Sequence, residues 1–229
     1  MSDLLLDVQG LRFRWPRAQT DTLAIEHFGM QRGETVFLRG PSGSGKSTLL
    51  SLLAGVLLAR EGRVALMGAD WRAMSVAARD AWRAEHVGYI FQQFNLLPYR
   101  SALENALLPL RFSRARAGRA PDARALAALM FEQMGLAGAD CLRPAGELSV
   151  GQQQRVAAVR ALIGAPALVV ADEPTSALDE PLRDQFMALL LGAVRQAGSG
   201  LLFVSHDARL GPHFDRQLDL ADLARRGAA

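Results

Sequence analysis

The chain has 229 residues, half of them hydrophobic and 21% charged, with a formal net charge of +3. That balance is ordinary for a globular protein and predicts one large domain, with or without a subdomain. The basic side is almost entirely arginine, which is weak support for nucleic acid, and no nucleic-acid partner is expected. The lone cysteine, Cys141, forms no internal disulfide and fits a reducing compartment. The opening "MSDLLLDVQG" has no basic region ahead of an apolar run, so no signal peptide is expected. No run of about 18 apolar residues occurs, so no bilayer-spanning segment is predicted.

Taken in chain order, "LLLDVQGLRFRW" and "TLAIEHFGMQ" predict short strands with turns between them. "ETVFLRG" is a mostly apolar strand that runs straight into "GPSGSGKST", Gly40 to Thr48. "KSTLLSLLAGVLL" then has apolar residues at helical spacing. "GRVALMG" and "HVGYIF" are further strands, and Ser101 to Gly164 reads as helical. "ALVVAD" is a buried strand, "EPLRDQFMALLLGAVRQAG" a helix and "GLLFVS" another strand. Strands alternating with helices, the strands near-continuously apolar, predict a parallel α/β sheet. The arginine-rich piece Arg111 to Arg124 reads as a solvated loop and helix start.

Gly40-x-x-x-x-Gly45-Lys46-Ser47 matches the phosphate-binding loop and lies between a predicted strand and a predicted helix, the context the motif needs. The candidate nucleotide contacts are Gly40, Pro41, Ser42, Gly43, Ser44, Gly45, Lys46, Ser47 and Thr48. The glycines let the backbone curl so that several N–H groups face one phosphate chain, and the following helix adds its dipole. Lys46 is the only lysine among 26 basic residues. A compact ammonium reaches the β- and γ-phosphates where a planar guanidinium is too bulky. Arginine bias in the coding sequence must leave a lone lysine somewhere, but chance places it in this loop only about a few times in a hundred.

"LVVADEP" ends a buried strand in two acids. Carboxylates at the carboxyl end of a parallel strand lie where such sheets bind ligands. Asp172 is placed to hold Mg²⁺ with Ser47, and Glu173 to polarise an attacking water. Alone, the pair could equally be acids stabilised at a helix start. Following a phosphate loop, the chemical reading is preferred.

"LSVGQQQR", Leu148 to Arg155, resembles the signature of ABC-type ATPases, usually LSGGQ. The family's other pieces follow in order. Gln92 in "FQQFNLLP" matches the Q-loop glutamine, "SALD" at Ser176 to Asp179 the D-loop, and His206 in "FVSHD" the switch histidine. Trp15 matches the aromatic that stacks on adenine. The resemblance spans Leu4 to about Leu220. It implies an α/β P-loop NTPase fold: a mostly parallel sheet, N-terminal antiparallel strands and an inserted helical subdomain. The core is expected at about 1–91 and 165–229, the subdomain at about 92–164.

The resemblance also implies an ATP hydrolase that uses ATP and Mg²⁺, with Lys46, Gln92, Glu173 and His206 in catalysis. Ser47, Gln92 and Asp172 would hold the metal. Two ATP-binding subunits would pack head to tail as a homodimer, so that Ser149, Gly151 and Gln152 face the nucleotide of the partner copy. Gln92 would pass the γ-phosphate's state to the helical subdomain. Phe94 to Tyr99 would line the groove for the coupling helix of an integral membrane permease. The chain is therefore expected to be cytoplasmic, peripheral on the inner face of the membrane.

Two departures stand out. Val150 replaces the usual glycine, and valine resists positive φ. The C-terminus, "FDRQLDLADLARRGAA", is shorter than the family's usual strand pair, and no regulatory domain is expected after it. Glu104, Asn105 and Pro109 are similar to the group of lipoprotein-releasing, macrolide-exporting and cell-division ATPases. The alternative reading is a nucleotide-driven switch on a membrane partner that controls a periplasmic process without cargo. A DNA-repair ATPase of this type needs a coiled-coil or zinc insertion, and the sequence has neither.

Overall fold

The computed structural model describes residues 4–41, 43–136 and 138–225. In chain order the elements are β1 (Leu4–Phe13), β2 (Leu23–Gln31), β3 (Thr35–Arg39), α1 (Lys46–Leu53), β4 (Glu61–Leu66), β5 (Ala69–Asp70), α2 (Val76–His86) and β6 (Val87–Ile90). There follow α3 (Ala102–Leu107), α4 (Arg114–Gly118), α5 (Ala123–Gln133), α6 (Val150–Leu162), β7 (Leu168–Asp172), α7 (Glu180–Ala197), β8 (Gly200–Val204), β9 (Arg216–Asp219) and α8 (Leu220–Arg225). The described chain divides into two compact units. One runs up to Arg83 and resumes at Gly200; the other is Ala84–Ser199.

The first unit holds both kinds of sheet. β2, β1, β4 and β5 form an antiparallel sheet in that order. β1 and β4 lose register between Gln9 and Arg12. There Gly62, at φ +80°, lies so close to Gly10 that a Cβ would sit 2.2 Å from the Gly10 carbonyl oxygen. β3 pairs in parallel with β8 on one side and β9 on the other. Phe37, Phe203 and Phe214 pack around this ladder, with ring centroids 5.3 to 6.3 Å apart. The start of β3 is tied to the start of β9. The Asp215 carboxylate accepts from the Thr35 N–H at 2.8 Å and from its hydroxyl at 2.7 Å.

Helix α1 is shorter than its apolar spacing predicts. It ends at Leu53, and the chain turns at Gly55, φ +71°. The buried Trp71 causes the stop. Its ring occupies the space beside Gly55, where a Cβ would meet it at 2.7 Å, and its indole N–H donates to the Leu53 carbonyl at 3.2 Å. The indole both blocks the next turn and satisfies one of the orphan carbonyls of a helix end. Helix α2 is not announced by apolar spacing because its first two turns are mostly exposed.

In the second unit β6 and β7 pair in parallel, and α6 packs on β6 where Gly88 has no side chain. A Cβ there would lie 2.1 Å from the Ala161 carbonyl oxygen. The segment Arg111 to Arg124 departs from its expected solvated character. Arg116, on α4, is 2% exposed. Its guanidinium donates to the carbonyls of Ile163 at 2.6 Å, Ala161 at 2.5 Å and Val87 at 3.3 Å. Arg119 donates to Gly164 O at 2.8 Å. All but the Val87 carbonyl, which is on β6, lie at the C-terminus of α6, where a cation also meets the negative end of the helix dipole. Burial, helped by the neighbouring Arg119 charge, lowers the Arg116 pKa to about 10, so it stays charged at neutral pH.

Replacing Arg116 by Met leaves several buried carbonyls without a donor. The expected loss is about 2 to 4 kcal/mol of stability in urea unfolding, while Arg114→Met at an exposed position changes it by less than about 0.5 kcal/mol. Arg116→Lys should recover little, since one ammonium cannot span carbonyls from two segments.

Candidate functional site

The phosphate loop leaves the carboxyl end of β3. Gly43 and Gly45 have φ of +77° and +94°, a conformation L side chains rarely adopt. A Cβ on Gly40 would come within 2.9 Å of the Ser44 hydroxyl and 3.3 Å of Leu220 Cβ. Ser44 in turn donates through its hydroxyl to Pro41 O at 2.8 Å. Ser42 lies outside the described residues. Lys46 is buried beneath the loop, its Nζ donating to Gly40 O at 2.8 Å and Pro41 O at 3.0 Å. Ser47 is exposed and Thr48 half-buried on the first turn of α1.

The start of α1 differs from the other capped helices. α3, α4, α5, α6 and α7 each begin with a Ser or Asp whose side chain accepts a backbone N–H. α1 begins at left-handed Gly45, with no side-chain cap and no acid in its first turn. The cap residue itself thus offers no side-chain acceptor to these N–H groups where the loop glycines open the backbone, which suits a bound anion such as phosphate.

Two further residues of the expected site belong to the same unit. β8 is in register with β3 at Leu38 and Val204, so Gly40 and His206 each stand two residues beyond a paired position, at the ends of adjacent parallel strands. His206 is exposed in a turn where Ser205 Oγ accepts from Asp207 N–H at 3.1 Å and the Asp207 carboxylate accepts from Arg209 N–H at 3.1 Å. Trp15 is 44% exposed and meets the Phe13 ring edge-on, with centroids 5.1 Å apart.

The second unit repeats this geometry. β6 and β7 are in register at Ile90 and Ala171, so Gln92 and Glu173 also stand two residues beyond a pair. Gln92 is exposed; Asp172 and Glu173 are half-buried. Glu173 adopts φ +46°. Tyr89, on β6, stacks on Phe91 at 4.1 Å. Burial, and then the Asp172 charge, pushes the Tyr89 hydroxyl well above the usual phenol range, so it stays neutral. Asp179 caps α7, its carboxylate accepting from Leu182 N–H at 3.1 Å.

The segment after Gln92 is held from elsewhere in this unit. Phe94 and Asn95 are both left-handed, at φ +59° and +48°. The guanidinium of Arg160, on α6, donates to Asn95 O at 2.7 Å and to Phe94 O. Burial lowers the Arg160 pKa to about 10, so it too remains a cation. The buried Asn105 accepts from Leu97 N–H at 2.8 Å and donates to Leu97 O and Ser101 O, both at 3.0 Å. The apolar run Phe94 to Tyr99 is therefore divided. Phe94 is buried and Leu97 anchored through its backbone, while Tyr99 is 73% exposed. Arg160 carries no motif of its own in the sequence, and Asn105 enters there only as a mark of resemblance.

The signature turn is the start of α6. Ser149 and Gln152 cap each other: Ser149 Oγ accepts from Gln152 N–H at 3.3 Å, and Gln152 Oε1 accepts from Ser149 N–H at 2.9 Å. Val150 is the first helical residue, 49% exposed, and is not among the residues of positive φ. The steric objection to valine therefore does not arise, because the position needs only ordinary helical dihedrals. A Cβ on Gly151 would meet nothing within 4 Å.

Among the described residues no cluster of three His, Cys, Asp or Glu side chains could hold a metal ion.

Residues 24–176 match the family model described as ABC transporter. The chain is 46% identical over 190 residues to the lipoprotein-releasing system ATP-binding protein LolD of Anaeromyxobacter dehalogenans, covering 83% of this chain and 78% of that protein. It is 39% identical to LolD of Hydrogenovibrio crunogenus over 97% of this chain and 96% of that protein. The uncharacterized ABC transporter ATP-binding protein YbbA of Escherichia coli K12 is 43% identical over 84% and 83% of the two chains. Among solved structures, the dimeric post-hydrolysis ATP-binding cassette MJ0796, bound to ADP and Pi, superposes with a TM-score of 0.82 at 30% identity, covering 93% of each chain. A family match over most of the chain, with relatives this similar over most of their own length, settles the family: this chain belongs to the ABC transporters, among their ATP-binding proteins.

Proposed function

We propose that the chain binds and hydrolyses MgATP in a pair of identical subunits. Closing and reopening of the pair would drive a separate integral membrane permease that holds the chain at the cytoplasmic face. The observation that carries the reading is the uncapped start of α1 above buried Lys46, inside a loop whose glycines expose backbone donors. A similar cassette solved as a dimer with ADP and Pi supports the pairing.

The residues divide the work by chemistry. Loop N–H groups and Lys46 bind the phosphate chain, and Trp15 offers an aromatic face to adenine. Ser47, Gln92 and Asp172 would hold Mg²⁺, which would supply charge neutralisation on the phosphates. The Glu173 carboxylate takes a proton from water as the water oxygen bonds to the γ-phosphorus and the bond to the ADP oxygen breaks. His206 and Gln92 stand at strand ends suited to orienting that water and the γ-phosphate. Ser149 spends a lone pair on its cap and keeps its O–H to donate, so it can face the partner copy's nucleotide together with Gly151 and Gln152.

Residues 92–164 form the helical subdomain that meets the permease in this reading. They carry the exposed Tyr99 and an open groove of about 320 Å³, lined by Leu107, Leu108 and Leu110 with Arg100, Glu104 and Arg111. Exposed apolar surface rimmed by charge suits a docking helix.

Lys46→Ala should abolish hydrolysis and weaken ATP binding up to about a hundredfold, the worth of a charge-assisted phosphate contact. Lys46→Arg should stay inactive, because the larger head cannot fit under Gly40 and Pro41; wild-type turnover in that variant refutes the fit. Glu173→Gln should bind MgATP, turn over very slowly and elute as a dimer on size exclusion with MgATP, whereas normal turnover removes Glu173 from its role. Tyr99→Glu should keep nucleotide affinity yet lose the permease in a pull-down from detergent extract. Retained association places the docking face elsewhere.

A further inference from the structure

Gln154 lies on α6, five residues after Ser149, and is 1% exposed. Its Nε2 donates to the Pro174 carbonyl at 2.9 Å. Pro174 directly follows Glu173, whose φ of +46° is unfavourable for any residue with a Cβ. Such a conformation persists only where the surroundings over-determine it. The bonds around this turn show what does so. Glu173 O accepts from Ser176 N–H at 3.2 Å and Thr175 O from Leu178 N–H at 3.2 Å, both inside the turn. Between them, the Pro174 carbonyl is held from outside, by the Gln154 amide. Pro174 has no N–H, so its carbonyl is the only backbone hydrogen-bonding group it offers.

The same helix also holds the left-handed pair just beyond the strand-end Gln92, through Arg160 on Phe94 O and Asn95 O. α6 thus fixes the backbone immediately after Glu173 and just beyond Gln92, using buried Gln154 and half-buried Arg160, six residues apart.

We propose that Gln154 is a positioning residue for Glu173: by holding the Pro174 carbonyl it fixes the left-handed turn that aims the Glu173 carboxylate. The inference rests on Glu173 being the base. Gln154 does not touch the reacting atoms, and its effect is on where the carboxylate points. Because α6 begins with the Ser149–Gln152 cap, the signature turn and the aim of the base sit on one rigid element. A disturbance at the start of the helix would reach the turn after Glu173 through the Gln154–Pro174 hydrogen bond.

The test is a cycle of four proteins: wild type, Gln154→Met, Glu173→Gln and the double variant. Methionine keeps the length and apolar bulk of glutamine and removes the N–H. Gln154→Met should lower kcat for MgATP about tenfold or more, with KM and the affinity for a non-hydrolysable ATP analogue within about twofold of wild type. In the Glu173→Gln background, single-turnover hydrolysis should show no further loss, since no base remains to be aimed. A kcat for Gln154→Met within twofold of wild type overturns the proposal. So does an equal loss in both backgrounds, or a fall in melting temperature and nucleotide affinity that tracks the fall in kcat, for each marks a structural role. Normal turnover in Glu173→Gln alone instead removes the reading of Glu173 itself. If the methionine variant is insoluble, Gln154→Asn, which draws the amide back by one methylene, makes the same comparison.

Discussion

Backbone N–H groups at the start of a helix need acceptors, and at α1 the cap residue, Gly45, has no side chain to supply one. This constraint organises the first unit. The loop before α1 must curl, so it contains left-handed Gly43 and Gly45, and it must lie close against its neighbours, so Gly40 has no side chain. Lys46 then neutralises the carbonyls that the curl turns inward, Gly40 O and Pro41 O, leaving the N–H side for an anion. Each part is explained by the donors of α1, and a glycine cap costs only about a few tenths of a kcal/mol against serine. A helix start left open in this way suits an anion such as phosphate.

The second unit stores its cost in dihedrals. Besides Ala165, which follows α6, Phe94, Asn95 and Glu173 are left-handed without being glycine, at about 1–2 kcal/mol each. All three lie within five residues past the carboxyl ends of β6 and β7. Two side chains of α6, with Asn105 from α3, take up the adjoining carbonyls and amide. The helix is itself secured at both ends, by the Ser149–Gln152 cap and by Arg116 on its last carbonyls. A strained turn needs a stiff support, and here one helix serves both strand ends.

This pattern explains which features were legible in the sequence. The parallel strands, the phosphate loop and the acid pair follow from requirements local to a few residues: apolar runs, glycines at fixed spacing, one lysine before a serine. The fold class followed from the same alternation. What escaped was set by contacts distant in sequence. The end of α1 depends on Trp71, eighteen residues beyond the Leu53 carbonyl it caps. The burial of Arg116 depends on carbonyls of α6 some 45 residues away, and nothing in "RARAGR" tells that arginine from its exposed neighbours. Val150 was weighed against a backbone conformation it does not adopt, because a glycine in a motif suggests positive φ, whereas its actual place is an ordinary first helical turn.

The distribution of basic residues closes the argument about Lys46. Several arginines of this chain donate to backbone carbonyls and join segments that are far apart. Arg116 spans α6 and β6, Arg160 reaches across to Phe94 and Asn95, and Arg155 donates to Gly135 O at 2.7 Å and to Gln185 at 3.3 Å. A guanidinium suits this because its nitrogens are separate and fixed in a plane, so one side chain can hold partners on different elements. Lys46 faces the opposite demand. Its partners are carbonyls of adjacent residues, met by a single nitrogen inside the turn of one loop. A rigid fork would push Gly40 and Pro41 apart, and it could not pivot from them toward an incoming phosphate. An ammonium on a flexible stem does both, which is why a chain that uses arginine at every other basic position has lysine here.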